Sequence, residues 1–353
     1  MTTTKDTRTL PQQRLADLDL MRSAAVVAVV AIHVYAHAYA APDIILAGGR
    51  VGLSALSAQL FFAVSGAALS YTSPPDRPFP IGTYWKKRVW SVYIIFWIAY
   101  LFWTVFQGVR AGGFGDAQGW RYLFSVFGVD GLLQSIGIQT YYKIGEWFLG
   151  PLLFLYAIFP ALRKIGMRAP SLLAAVVAVI VCAGYALTAD GNVRFFLLMP
   201  LASFTFGILL RHLPVNAPGA AICAAIAAVC VATAPAGSQT GDTAAPRVVL
   251  FGLAAVYLFS FVGRRIRGRA ATRFLAWFSG LSFAIILMHH PIIGDFIYLW
   301  FNPAGSPASV FIPYLLLLAA VILGASLLLK LAERGVKAAI LKISGRNGRR
   351  SAS

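Results

Sequence analysis

Apolar segments of roughly 16 to 24 residues recur along this whole chain, more than a water-soluble fold could bury. They run over 18–41, 51–71, 89–109, 145–162, 171–188, 194–210, 217–235, 248–263, 274–294 and 310–331. The hydrocarbon layer of a bilayer takes about 20 apolar residues as a helix, so each is a candidate span, several near the short limit. None alternates polar and apolar residues as a barrel strand does. Composition agrees: 12% of the 353 residues are charged and 59% are apolar, whereas an ordinary soluble domain is about a quarter charged. Disorder, a soluble enzyme and a disulfide scaffold are excluded. Cys182, Cys223 and Cys230 all lie in apolar runs without metal or redox spacing and read as small buried hydrophobes.

Ten spans put both ends of the chain on one side, and the basic residues test that arrangement. Of the 30 Lys and Arg, only Arg50, Arg110, Arg121, Lys143, Arg194 and Arg247 fall on the far side, leaving 24 on the side of the termini. By the positive-inside rule both termini are cytoplasmic, and an inner, cytoplasmic membrane is the expected location. The net charge of +18 is then a topology device with an attraction to anionic membrane lipid, and no nucleic-acid partner is expected. The polar start, MTTTKDTRTLPQQR, leads into a helix with acidic and basic residues, unlike a cleavable signal peptide. The expected organisation is a cytoplasmic N-terminal tail over 1–14, a transmembrane domain over 15–333 and a basic cytoplasmic tail over 334–353. The longest outer loop, 110–144, is too broken to span and reads as interfacial or re-entrant.

Charges inside spans are costly and normally face a partner or a cavity. The first span, RLADLDLMRSAAVVAVVAIHVYAHAYA, carries the most. Arg22 and His33 are eleven residues apart, about 1100° of helical rotation, so they share one stripe about 16 Å apart along the axis. Asp19, three residues before Arg22, is close enough to pair with it, and His37 lies near the same stripe. An anionic group would meet Arg22 while a reacting centre meets His33, whose imidazole can move a proton near neutral pH. The expected fold is therefore all-α, with about ten transmembrane helices around a polar cleft.

Other polar positions are less definite. Ser65–Gly66 in a run of small residues permits close helix approach. Lys86, Lys87 and Arg88 before the third span could anchor it at the membrane surface or hold phosphates. Glu146 stands at an outer mouth beside Trp147, either solvated in an aromatic belt or orienting an imidazole or a sugar hydroxyl. His289 and His290 point about 100° apart, so at most one faces a cavity. No metal site is expected: the sequence has no H-E-x-x-H and no Cys–His cluster, and it has neither a G-x-S-x-G elbow nor a phosphate-cradling Gly loop.

These segments together resemble the acyltransferase family 3 membrane proteins, closest in style to the polysaccharide O-acetyltransferases. The matching segments are D-x-x-R-x10-H (Asp19, Arg22, His33), FFAVSG (Phe61 to Gly66), YWKKR, GEWFLGPLLFLYAIFP (Gly145 to Pro160) and LSFAIILMHHP. The resemblance implies ten helices and transfer of an acyl group, usually acetyl from cytoplasmic acetyl-CoA, to a hydroxyl of a glycan or lipid-linked glycan at the outer face. It implies His33 as the catalytic histidine and Arg22 as the pore arginine. Asp19 would hold Arg22, Lys87 and Arg88 would contact the donor, and Glu146 would help to position the acceptor. His33 would take the hydroxyl proton or carry the acyl group transiently. No metal or resident cofactor is implied beyond acetyl-CoA as donor. The chain departs from the pattern at Ser91, where a second arginine is usual, and at Ile286, where a tyrosine is usual. Spacing from Phe283 selects His289, and alignment on Pro291 selects His290. The rival reading is a secondary transporter of a small anionic solute, but the two related halves common in transporters are not found.

The basic split makes a direct prediction. A reporter fused after residue 353 is cytoplasmic and one inserted near residue 118 is external; reporters on one side would sink the ten-span arrangement.

Overall fold

The computed structural model describes residues 10–39, 45–46, 51–73, 78–113, 119–134, 138–140, 144, 146–187, 195–233 and 246–350. The helices are α1 Leu10–Ala38, α2 Leu53–Thr72, α3 Ile81–Ala111, α4 Tyr122–Phe127, α5 Asp130–Gln134, α6 Leu149–Arg168, α7 Pro170–Leu187, α8 Phe195–Leu209, α9 Ala217–Ala232, α10 Pro246–Gly263, α11 Arg269–Asp295 and α12 Ala308–Arg350. A two-residue β pairing, Ile45–Leu46 with Val51–Gly52, is the only strand structure among the described residues. The fold is all-α and polytopic: among the described residues each of the ten expected segments holds a helix. Six are long and apolar enough to cross a membrane, and four are shorter apolar helices.

Some ends differ from expectation. α1 starts at Leu10 and α3 at Ile81, because the polar residues ahead of each apolar run simply continue the helix. α12 likewise runs on from its apolar part through the basic segment to Arg350. The cysteines also need correction. Cys230 is buried, but Cys223 is half-buried and Cys182 is exposed. Lipid solvates a small apolar side chain as well as a protein core does, so an apolar run need not turn its cysteines inward.

The chain forms two compact units. The first comprises residues 1–77, 131–138 and 147–282, and so holds α1, α2, most of α5, α6 to α10 and the first part of α11. Its centre is the contact of α1 with α2. Leu18, Met21 and Ala25 form one stripe of α1 and meet Leu60, Ala63, Val64 and Ala67 of α2, with Leu210 and Val256 closing the cluster. Between membrane helices van der Waals packing replaces the hydrophobic effect, so small residues that admit close approach matter most. At Gly66 an added Cβ would overlap the Phe204 carbonyl, and at Gly207 one would overlap the Ala63 carbonyl. The two backbones of α2 and α8 are therefore in reciprocal contact, which is the role expected for the glycine of FFAVSG. Ser65 bonds within its own helix, to the Phe61 carbonyl at 2.9 Å. Fully buried Gln59 donates to the Val248 carbonyl at 2.9 Å and ties α2 to α10.

The second unit comprises residues 78–130, 139–146 and 283–353. Here the outer-loop segment lies along the middle of α3. Tyr93 donates to the Phe127 carbonyl (3.0 Å), Trp97 to the Val126 carbonyl (2.9 Å) and Tyr100 to Ser125 Oγ (2.7 Å), which donates in turn to Asp130 (2.9 Å). Irregular backbone at membrane depth requires such partners. Leu123, Val126 and Phe127 stay exposed. An ion pair of Arg110 with Asp295 (2.7 Å) joins α3 to the end of α11.

Gly66→Ala forces the α2 and α8 backbones apart and lowers stability by about 1–3 kcal/mol, the usual cost of overpacking. Gly280→Ala, with nothing within 4 Å of its added Cβ, is the control and is neutral or stabilising by up to about 1 kcal/mol. Thermal unfolding in detergent measures both; equal effects would refute the close-contact reading.

Candidate functional site

Helix α1 presents three faces. The apolar stripe of Leu18, Met21 and Ala25 is fixed against α2. About a quarter-turn to one side lies Asp17, and about a quarter-turn to the other lies the Arg22–His33 stripe. The rotation of α1 thus decides where the polar stripe points, and buried hydrogen bonds set that rotation.

Asp17 is fully buried. It accepts from Ser260 Oγ at 2.8 Å and from Arg264 Nε at 3.1 Å, both on or just beyond α10, and from the Leu18 amide at 3.0 Å. Arg264 also donates to Tyr71 Oη and the Leu210 carbonyl, each at 3.3 Å, and so links α1, α2, α8 and α10. Gly263 admits this contact, since a Cβ there would overlap the Asp17 Cα. Sequence reading missed Asp17 as a fixed point. Its charge in an apolar run was the available signal, but its partner 247 residues away could not be seen.

Asp19 is held differently from the expected pairing. It accepts a short hydrogen bond from Ser279 of α11, and among the described residues it forms no ion pair with Arg22. Arg22 remains electrostatically close to Asp19 and to Tyr156 of α6. Its half-buried guanidinium has no hydrogen-bond partner among the described residues. A cation in a span without such a partner is expensive, roughly 2.5–3.5 kcal/mol at mid-bilayer, and normally marks a hydrated path or a ligand.

His33 is half-buried on the same stripe, with its ring centroid 6.3 Å from that of His37 one turn further on. Asp19, Arg22, His33 and His37 are thus assembled on α1 in the first unit. Lys87 and Arg88 are on α3 in the second. Lys87 is exposed, while Arg88 is half-buried with its guanidinium 5.9 Å from the Tyr84 ring centre. Ser91, at the position where a second arginine was looked for, donates only to the Arg88 carbonyl at 3.2 Å. Glu146 begins the short helical turn Glu146–Phe148, and its side chain lies outside the described residues. Trp147 is not a free interfacial ring: it packs edge-on against Phe62 with centroids 6.4 Å apart, and Gly131 abuts its Cα. Buried His289 donates through Nδ1 to carbonyls of its own helix, Ile286 at 2.8 Å and Ile285 at 3.1 Å, while His290 is half-buried.

The end of the first unit that carries the basic excess is rich in arginine. Arg211 Nη1 donates to the Ser70 carbonyl (2.8 Å) and Arg163 Nε to the Ser73 carbonyl (3.0 Å), so both cap the last turn of α2. The next residue, His212, lies beyond α8; partial burial, then the charge of Arg211, pushes its pKa below the ordinary imidazole value.

Asp17→Ala and Arg22→Ala separate structure from chemistry. The first leaves Arg264 and Ser260 without their acceptor and costs about 2 kcal/mol, less than the ~3–5 kcal/mol of a fully buried pair because the Arg264 side chain is 26% exposed. The second removes no protein hydrogen bond and leaves stability within about 0.5 kcal/mol. Unfolding of the detergent-solubilised variants tests this; the reverse order would overturn the assignment.

A family model described as an acyltransferase domain matches residues 15–330. No curated protein and no solved structure matches the chain.

Proposed function

Because the chain belongs to acyltransferase family 3, a family of membrane acyltransferases, we propose that it moves an acetyl group from cytoplasmic acetyl-CoA to a glycan hydroxyl at the outer face of the membrane. One observation carries this reading: Arg22, a half-buried cation without a hydrogen-bond partner among the described residues, shares a helix stripe with His33 inside a membrane span. The 16 Å or so between them suits an extended pantetheine arm, with an anionic part of the donor at Arg22 and the thioester at the imidazole.

In the proposed reaction His33 takes the proton of the acceptor hydroxyl, whose oxygen attacks the thioester carbonyl. The C–O bond forms, the C–S bond breaks, and the departing thiolate takes the proton back from the imidazolium. A sugar hydroxyl is a poor nucleophile at neutral pH, so a base within hydrogen-bond reach is what the reaction needs. Ser279 holds Asp19 beside Arg22. Asp19 thereby keeps the local field from being purely cationic, which suits a donor that must also leave. Lys87 and Arg88 are further donor contacts in this reading, and Glu146 an acceptor-positioning group.

Transfer of labelled acetyl from acetyl-CoA to membrane glycan, in proteoliposomes holding the purified protein, tests the reading. His33→Ala lowers turnover about 10²–10⁴-fold with the protein still folded, and His37→Ala costs much less. Arg22→Ala raises the KM for acetyl-CoA about tenfold, the worth of one charge-assisted contact. Near-normal turnover in His33→Ala would remove the base from this position, and no transfer by the unaltered protein would remove the reaction.

A further inference from the structure

We propose that Arg163 and Arg211 form a phosphate-binding site at the basic end of the first unit, in line with Arg22. The two guanidinium groups reach the carbonyls of Ser73 and Ser70. Those carbonyls are three residues apart at the C-terminal end of α2, which brings the two cations close enough to repel each other. Two guanidinium groups side by side make a locus that attracts an anion. Arg211 spends one donor on Ser70 and makes no other hydrogen bond among the described residues, so most of the five donors of its fork remain for a ligand. A fork of that shape matches phosphate oxygens.

The site is aligned with the stripe on α1. Tyr156, the neighbour of Arg22, and Arg163 are both on α6, seven residues apart. Seven residues make about 700°, so the two share a face and Arg163 lies about 10 Å further toward the basic end. α6 continues as a helix through Pro160. An elongated molecule with its phosphate on Arg163 and Arg211 would therefore run up α6 to Arg22. The phosphate can come from the nucleotide end of the CoA thioester, which rests on the function proposed above, or from the headgroup of an anionic lipid.

Purified protein in zwitterionic nanodiscs is titrated with CoA and, separately, with short-chain phosphatidylglycerol. Arg163→Gln and Arg211→Gln each weaken binding of one of these probes about tenfold, while Arg168→Gln, an exposed residue of the same helix, changes neither. On the unaltered protein, which removes any question of folding, pyrophosphate displaces the same probe. Weakened CoA binding, with a raised KM for acetyl-CoA and an unchanged KM for the phosphate-free S-acetylpantetheine, assigns the phosphate to the donor. Weakened phosphatidylglycerol binding alone assigns it to lipid and upholds the site. Unchanged affinity for both probes in the folded variants, or failure of pyrophosphate to compete, overturns it. Acetyl transfer that persists with both variants unaffected sinks this site and leaves the proposed function standing. Lipid binding through the two arginines in a protein that transfers no acetyl group does the opposite.

Discussion

A bilayer offers no water to a buried charge, and the arrangement of the first unit follows from how α1 disposes of three of them. Asp17 is neutralised by Arg264 and bonded to Ser260. Asp19 is taken up by Ser279. Both partners come from late in the chain, so the first helix is pinned by α10 and α11 on its flanks and by α2 on its apolar stripe. With those contacts made, the rotation of α1 is no longer free. Arg22 and His33 point where they do because the other faces are occupied.

The same economy explains the glycines. A helix bearing buried polar groups needs neighbours close enough to bond them, and bulky side chains would hold those neighbours away. Gly263 lets α10 approach Asp17, and Gly252 makes room for Gln59, whose amide reaches the Val248 carbonyl. Gly66 and Gly207 bring α2 and α8 into backbone contact. Polar partnership and small-residue packing are thus one device. Interhelical hydrogen bonds in membranes are individually modest, about 0.6 kcal/mol on average, so they act through the shared geometry of several helices more than through any single bond.

Much of this was legible in the sequence, because membrane helices obey a length rule and a charge rule that act locally. The ten segments and the shared stripe of Arg22 and His33 required only the apolar runs and the helical period. Gly66 was readable as a packing residue, although its partner, the Phe204 backbone, was not. What stayed hidden was long-range: Asp19 acts electrostatically on Arg22, three residues away, but the hydroxyl it bonds lies 260 residues along the chain. Asp17 was passed over for the same reason. An aromatic belt was one of two readings of the Glu146–Trp147 position, since an outer-mouth position is all that hydropathy shows, and the contacts of Trp147 with Phe62 and Gly131 depend on tertiary packing. The side chain of Glu146 lies outside the described residues and its place in the site stays a proposal.

Helix length adds a last constraint on the chemistry. α9 is 16 residues, closed at its start by the Asn216 side chain accepting from the Gly219 amide (2.9 Å) and at its end by Thr233. At 1.5 Å per residue it is about 24 Å long, short of the ~30 Å hydrocarbon layer. A short helix is accommodated by local thinning of the bilayer or by polar flanks that draw water inward. Here the flank is polar: Asn216 and Tyr257 share a hydrogen bond at 3.2 Å, and Tyr257 donates to the Pro214 carbonyl at 2.7 Å. The first unit therefore includes a wall thinner than an ordinary span. In the proposed reaction, that would shorten the distance between a donor on one side and an acceptor on the other. Under the acetyl transfer proposed above, a thioester on a flexible arm would have to reach only to His33, some 16 Å beyond Arg22 along α1, without any part of the protein carrying it across.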